Sequence, residues 1–431
     1  LQRYSANTKV GSMISLIEAL NFRCLRYVRQ PLGRFGVLVG PNASGKTTFL
    51  DVIAFLSDLV SGGLELAVAK RTLNLTDLIW GRKGAGFQLA VEVRIPDQQR
   101  KLLAEEKQRF TTVRYEVEIV FDPVTGETAI TTEQGALVKE SSSKHPQRAL
   151  FPCPEMPRKS ITSSRRASGG RMLFSKIPGR NDNFYAEAFA KEGRWAPSFR
   201  LGPRKSTLGN LPEDETKFPV STWFKQLLVE GVEKITLNSQ EMRKPSPPGQ
   251  KPGFRPDGSN LPWVVERLRA DPGRFRDWVD HVQTALPDLA DVRTVLRPED
   301  NHRYLVLVYQ GGLEVPSWTA SDGTLRLLAL TLPAYLNDFR GIYLIEEPEN
   351  GIHPRAVQTV YQSLSSVYEG QILVATHSPV ILSIVEPAEV LCFAKTPEGA
   401  TDIVPGNEHP KLRDWRHEEN FGVLFAAGVL G

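Results

Sequence analysis

Residues 40–47 read Gly-Pro-Asn-Ala-Ser-Gly-Lys-Thr, a G-x-x-x-x-G-K-T pattern. Each residue type has a physical task. Gly40 and Gly45 let the backbone wrap a phosphate, so that successive N–H groups of Asn42, Ala43, Ser44 and Gly45 point at its oxygens. The helix that follows adds the positive end of its dipole through a first turn of Lys46, Thr47 and Thr48. Lys46 brings a mobile charge for the β- and γ-phosphates, and Thr47 a hydroxyl for Mg²⁺. Val37-Leu38-Val39 is an apolar strand directly before the loop, and Phe49, Leu50, Ile53, Leu56 and Val60 recur at helical spacing after it. That context separates a nucleotide-binding loop from an incidental Gly-rich turn. Alone, the loop serves a kinase, a GTPase or an ATPase.

The second half of the chain narrows the choice. Ile342-Tyr343-Leu344-Ile345-Glu346-Glu347 is a buried strand ending in two adjacent carboxylates. Two acids at a buried strand end are costly unless a cation compensates, and Mg²⁺ with a nucleotide would do so. Neighbouring strand residues point opposite ways, which gives the two acids different tasks. Glu346 faces the metal and its water shell, and Glu347 orients or deprotonates the attacking water. Val374-Ala375-Thr376-His377-Ser378-Pro379 ends another apolar strand with a histidine. A lone histidine is ordinarily a surface or satisfied core residue. Here it follows the strand after the Glu-Glu strand, at the sheet edge where ligands sit, and His377 is placed to reach a γ-phosphate. Ala320-Ser321-Asp322-Gly323-Thr324 opens a helix, and such a cap is common, although a helix N-terminus is also an anion site.

In this order, the loop, the Ser-x-Gly cap, the carboxylate strand and the histidine strand resemble the ABC-type ATPase heads. The resemblance is to the OLD/RecF/SMC-like branch, as a stand-alone AAA family ATPase, rather than to membrane transporters. Asn21-Phe22-Arg23 ahead of the loop and the phrase Ile345-Glu346-Glu347-Pro348-Glu349-Asn350-Gly351-Ile352-His353-Pro354 are typical of that branch. Matching segments cover roughly residues 13–122 and 261–431. The resemblance implies ATP and Mg²⁺ as cofactors and a head-to-tail homodimer with two ATP molecules at its interface. Lys46 and Thr47 of one subunit and Ser321 and Gly323 of the other would hold each set of phosphates. Arg23 either approaches the nucleotide or is structural. The chain departs from transporters at Ala320 and Thr324, where they carry leucine and glutamine, and has Glu346 for the usual aspartate. The glutamine that senses Mg²⁺ in relatives has no clear counterpart, since Gln88 stands in the wrong kind of strand.

The elements that must position these residues imply an α/β fold. The expectation is a P-loop head with a mainly parallel core sheet, an antiparallel β lobe and a partly irregular insertion. Strand signals cover Ile14–Leu20, Phe35–Val39, Phe87–Val93 and Val113–Ile119, with a helix from Lys46 to Leu59. Residues 1–12 read as a remnant preceding a natural start at Met13. Residues 13–135 form the first half of the head, 136–260 a basic insertion rich in Ser, Pro and Gly, and 261–431 the second half. Within the insertion only Pro219–Gly231 reads as a helix. After it, helices are expected over 262–285, Leu325–Leu336 and Pro354–Tyr368, and strands over Tyr304–Tyr309, Gly341–Ile345 and Gln371–Thr376.

Composition sets the outer bounds. The 431 residues are 41% hydrophobic and 24% charged, which excludes bulk disorder and fibrous classes. The net charge of +4 hides an excess between residues 141 and 200, where 12 Lys and Arg stand against 4 Asp and Glu. Arg158, Lys159, Arg165, Arg166, Arg171, Lys176 and Arg180, with Phe174, Phe184, Tyr185 and Trp195 nearby, either contact DNA or RNA or form solvated connections. Cys24, Cys153 and Cys392 are too few and too scattered for a zinc knuckle or a disulfide framework. No apolar run reads as long enough to span a membrane, and a cytoplasmic protein is expected. Long coiled coils, as in SMC proteins, are lacking. Only 54 residues follow His377, too few for the nuclease domain of OLD enzymes. The charged cluster Asp414, His417, Glu418 and Glu419 reads as a solvated helix face. By family association, a separate nuclease or toxin chain would then be the effector, as in bacterial anti-phage systems. A RecF-like DNA-repair ATPase and a nucleotide-gated scaffold with little turnover stand as alternatives.

Overall fold

Strands that are apolar on both faces need cover on both sides, and the helices of this chain provide it. The computed structural model describes residues 14–413 apart from 123, 141–148, 163–168, 189–196, 251–252 and 338–339. Met13, the residues before it and the Asp414–Glu419 cluster lie outside the described residues. The core sheet runs Val232–Ile235, Ile342–Glu346, Gln371–Ala375, Phe35–Val39, Val390–Lys395, Thr401–Pro405. Its first five strands are parallel and the last pair is antiparallel. Phe35–Val39 is buried at all five positions. Leu38, Leu344 and Leu373 point into one core with Phe49, Ile53 and Leu56 of the helix Lys46–Ala69. Val37, Tyr343 and Val374 point into the other, against the helices Asp322–Thr331 and Pro354–Ser365.

An eight-stranded antiparallel sheet covers the far side of the helix Lys46–Ala69. Its order is Leu25–Pro31, Ile14–Phe22, Gly86–Arg94, Thr112–Phe121, Thr128–Val138, Arg171–Lys176, Asp182–Phe184, Ser198–Phe199. Phe22, Phe55 and Phe87 join sheet to helix, with ring centroids 5.0–5.8 Å apart. A third sheet, Leu289–Leu296, Arg303–Tyr309 and Glu314–Pro316, carries the helices Leu261–Arg269 and Pro272–Gln283 on one side.

Several expectations are corrected here. The stretch 136–260 is woven into the head rather than set apart. Three of its strands extend the antiparallel sheet, Pro219–Glu230 packs on the helix Lys46–Ala69, and Val232–Ile235 forms the edge of the core sheet. The boundary at 135 falls inside the strand Thr128–Val138. The helix over 262–285 is two helices, because Pro272 restarts the chain and Asp271 caps it by accepting from Arg274 N at 3.2 Å. Leu325–Leu336 passes into a 3₁₀ turn at Leu332–Tyr335, where Pro333 removes a donor. Lys46–Leu59 continues to Ala69 through Gly63, whose φ is +82°. That 24-residue helix is long and apolar enough by composition to cross a membrane, contrary to the sequence reading, but Phe49, Ile53, Phe55, Leu56 and Leu59 are wholly buried in the core.

His409 is fully buried against Phe151, ring centroids 5.0 Å apart, and neither ring nitrogen has a partner among the described residues. Burial, assisted by Lys411, lowers its pKa to about 4. The unfolded chain takes up this proton near pH 6.5, so it binds more protons than the native state between about pH 6.5 and 4. His409 therefore removes up to about 1.4 kcal/mol of stability per pH unit as the pH falls through that window. Urea titrations at pH 7 and 5 should show a smaller loss for His409→Leu than for the parent protein. An equal loss would refute the assignment.

Candidate nucleotide site

The strand register puts the chemistry in one row. Leu38, Ala375 and Glu346 are successive cross-strand partners, so the next residues of all three strands emerge at the same C-terminal edge. Glu347 N donates to Ala375 O at 2.7 Å and Thr376 N to Leu38 O at 3.1 Å, which locks the three exits together. A cavity of about 520 Å³ opens there, lined by Asn42–Thr48, Arg23, Glu346, Glu347 and His377. This size lies within the range of small-molecule and cofactor sites.

The loop needs its glycines. Gly40 has φ +149°, and a Cβ there would stand 2.2 Å from Phe393 O. Gly45 has φ +107°, and its Cβ would meet Thr401 Oγ1 at 2.3 Å. Lys46 is 7% exposed and donates to Gly40 O and Pro41 O at 2.7 and 3.0 Å. Burial lowers its pKa to about 8, against the opposing pull of Glu347 and Glu346. The first N–H groups of the following helix lack intrahelical acceptors, and Ser44 Oγ is buried without a partner. Loose donors around an enclosed cationic loop fit the phosphates of a nucleotide.

Thr47 Oγ1 donates to Glu346 Oε2 at 2.5 Å, and Lys234 Nζ lies 2.6 Å from Glu346 Oε1. A hydroxyl and a carboxylate touching across the loop are hard oxygen donors suited to Mg²⁺, which takes one or two carboxylates together with substrate phosphates. Glu347 is exposed toward the cavity, with φ +48°, a conformation costing of order 1 kcal/mol or more outside glycine. Its backbone bond to Ala375 and a short hydrogen bond from Asn350 Nδ2 to its carboxylate hold it there. Glu349 Oε1 accepts from Thr376 Oγ1 at 2.7 Å and His377 N at 2.9 Å, fixing the histidine loop. The His377 pKa is lowered by burial and then by Lys46, against the opposing pull of Glu347 and Glu349.

The sequence-predicted residues divide. Lys46, Thr47, Thr48, Asn42–Gly45, Glu346, Glu347 and His377 come together, with Arg23 at the rim in an ion pair with Asp51 at 3.2 Å. Ser321 and Gly323 do not line this cavity. Ser321 caps its helix by accepting from Thr324 N at 3.2 Å, and a Cβ on Gly323 would stand 2.6 Å from Gly351 O. Gln88 lies elsewhere, donating to Glu118 at 2.6 Å. Of the proposed nucleic-acid contacts, Phe174 and Phe184 are fully buried and Lys176 is buried beside Asp182 at 2.6 Å, so none of the three can meet a base or phosphate. Arg158, Lys159, Arg171 and Arg180 are exposed and Tyr185 is half-buried. Arg165, Arg166 and Trp195 lie outside the described residues. Sequence reasoning missed the roles of Lys234, Glu349 and Asn350. The nearby signal for the last two was their place two and three residues after Glu347, and Lys234 had none.

A family model described as "AAA domain, putative AbiEii toxin, Type IV TA system" matches residues 35–383. No curated protein matches in sequence. Among solved structures, an SmcHead bound to the C-winged helix domain of ScpA aligns at 14% identity, over 91% of this chain and 97% of that one, with a TM-score of 0.51. The Smc head of Pyrococcus furiosus, with an extended coiled coil and bound to the C-terminal domain of ScpA, aligns at 14% identity and a TM-score of 0.47, over 91% and 96% of the two chains. The SMC head of Thermotoga maritima aligns at 11% and 0.41, over 91% and 98%. The likeness to the first of these, at 14% identity and a TM-score of 0.51, shows the fold alone, a P-loop head of ABC type.

Proposed function

Because the chain belongs to this AAA-domain family and has the fold of an SMC head, we propose that it binds and hydrolyses ATP with Mg²⁺. Attack of water on the γ-phosphorus breaks its bond to the ADP oxygen. The observation that carries this reading is Glu347, held in a strained conformation by Ala375 and Asn350 beside a phosphate loop. Lys46 and the loop N–H groups hold phosphate oxygens, and Thr47 and Glu346 are the residues that would hold Mg²⁺. Bound Mg²⁺ would supply charge neutralisation at the phosphates. Glu347 takes the proton of the attacking water. The imidazole of His377 donates a hydrogen bond to a γ-phosphate oxygen.

Ser321 and Gly323 stand at a helix N-terminus outside this cavity, which supports their use by a second copy. Two chains, head to tail, would then enclose two ATP molecules and act as a switch on a partner effector, a nuclease or toxin, in a cytoplasmic defence system. The family description names a "putative AbiEii toxin" of a type IV toxin–antitoxin system, which supports the defence setting. Action on DNA, as in RecF-like repair, would rest on the exposed Arg158, Lys159, Arg171 and Arg180. Light scattering of Glu347→Gln with ATP and Mg²⁺ should give the mass of a dimer, and of a monomer when Ser321→Arg is added. A monomer in both cases would refute the enclosed dimer.

A further inference from the structure

The antiparallel sheet has a polar outer face, away from the core. Its cross-strand neighbours are Glu92 with Arg114, Glu116 with Gln134, and Gln88 with Glu118. Segment 158–162 straps across it. Ile161 is 5% exposed and packs with Leu20, Tyr27 and Ala90. Ser160 Oγ and Ile161 N donate to Gln88 Oε1 at 3.0 and 2.7 Å, and Arg114 donates to Ile161 O at 3.2 Å. Beside the strap lies a cavity of about 680 Å³, larger than the one at the phosphate loop.

Charge is distributed unevenly around this cavity. On the floor, Arg114 is saturated by Glu18 at 2.7 Å, Glu92 at 3.1 Å and Glu116 at 2.5 Å. At the rim, Arg29, Arg109 and Lys139 converge, and none has an ion-pair partner among the described residues. Arg29 sits directly across the strand pair from Glu18, yet Glu18 is taken by Arg114 and by Tyr27 Oη at 3.0 Å. Arg158 adds a fourth cation over the Tyr27 ring, 3.9 Å from Glu18. If the rim served only to neutralise the floor, its cations would sit on those carboxylates, and three of the four do not. Like charges held around one concavity are relieved by an anion between them.

We propose that this cavity is a second ligand site, independent of the phosphate loop, that takes a soluble phosphorylated molecule of nucleotide size. The rim cations receive the phosphates. The volume lies in the range of small-ligand sites, and the strap bounds the cavity on one side, so a compact ligand fits better than a polymer.

The test uses the full chain in a Lys46→Met background, which weakens the phosphate loop, with inorganic pyrophosphate as the probe. Calorimetric titration should detect one site per chain that weakens with salt. Adding Arg109→Ser should weaken it by about tenfold, and Lys139→Ser by a similar factor. Both residues are exposed, so the melting temperature should stay unchanged and a folding defect can be told from lost binding. No binding at millimolar pyrophosphate, or an affinity indifferent to both substitutions, would overturn the proposal. A single-stranded oligonucleotide of about 12 residues is the second probe. If it binds with this residue dependence while pyrophosphate does not, the site is a nucleic-acid track and the small-ligand assignment is wrong.

Discussion

Replacing Glu347 with Gln is expected to lower ATP turnover by about 10²–10⁴-fold, the range a positioned general base contributes. That corresponds to about 2.7–5.5 kcal/mol in the activation barrier. The substitution keeps the length and shape of the side chain. It also leaves the backbone bond from residue 347 to Ala375 O in place, so the strained turn persists. What it removes is the proton acceptor. Lys46, Thr47 and Glu346 are untouched, and ATP affinity should change little. Single-turnover kinetics beside equilibrium ATP binding separates the two effects. Turnover within threefold of the parent would mean that the water proton goes elsewhere, and Glu347 would lose its assigned role.

The second large effect is on stability. Glu133 is fully buried on the strand Thr128–Val138 and accepts four hydrogen bonds. Tyr115 Oη donates at 3.0 Å, Ser206 Oγ at 2.7 Å, Thr207 N at 2.7 Å and Leu208 N at 3.0 Å. Burial raises the pKa of this carboxyl, and the four donors oppose that shift. The carboxylate thus fastens the segment around Ser206–Leu208 to a strand 73–75 residues earlier in the chain. Glu133→Ala strands four buried donors at once and should cost about 3–5 kcal/mol. The urea midpoint should fall accordingly. Limited proteolysis should then cut first near Leu201–Leu211, because the released segment opens before the rest. A midpoint unchanged from the parent would show that the donors find other acceptors.

What was legible in the sequence follows a physical pattern. The phosphate loop, the Glu346-Glu347 pair and His377 could be read because each ends a buried strand. Apolar runs flag such strands, and a polar residue at their end is an anomaly. The register then aligns three such ends with no further information. Lys234 was illegible because its neighbour Glu346 is 112 positions away and its own strand is only four residues long. Asn350 and Glu349 were visible as letters, but their tasks depend on the turn at Glu347, which periodicity does not report. The middle of the chain misled for a related reason. Short strands such as Asp182–Phe184 carry little pattern, and Lys176 and Phe174 look like surface chemistry until the sheet that buries them is known. The cavity beside the 158–162 strap was hidden in the same way, since its rim gathers Arg29, Arg109, Lys139 and Arg158 from four separate places in the chain.

The place of Phe35–Val39 in the core sheet has a consequence for the order in which the protein can be built. Both its neighbours, Gln371–Ala375 and Val390–Lys395, come from more than 330 residues later. Gln371 also closes the start of the chain, donating to Ile14 O and Gly33 O and accepting from Ile14 N. During synthesis the phosphate-loop strand therefore waits, bare on both edges, until the ribosome has passed residue 375. The antiparallel lobe, whose strands Ile14–Phe22 through Thr128–Val138 pair within the first third of the chain, can assemble long before. A nascent chain would thus acquire its antiparallel lobe well before the strands that flank its phosphate-loop strand.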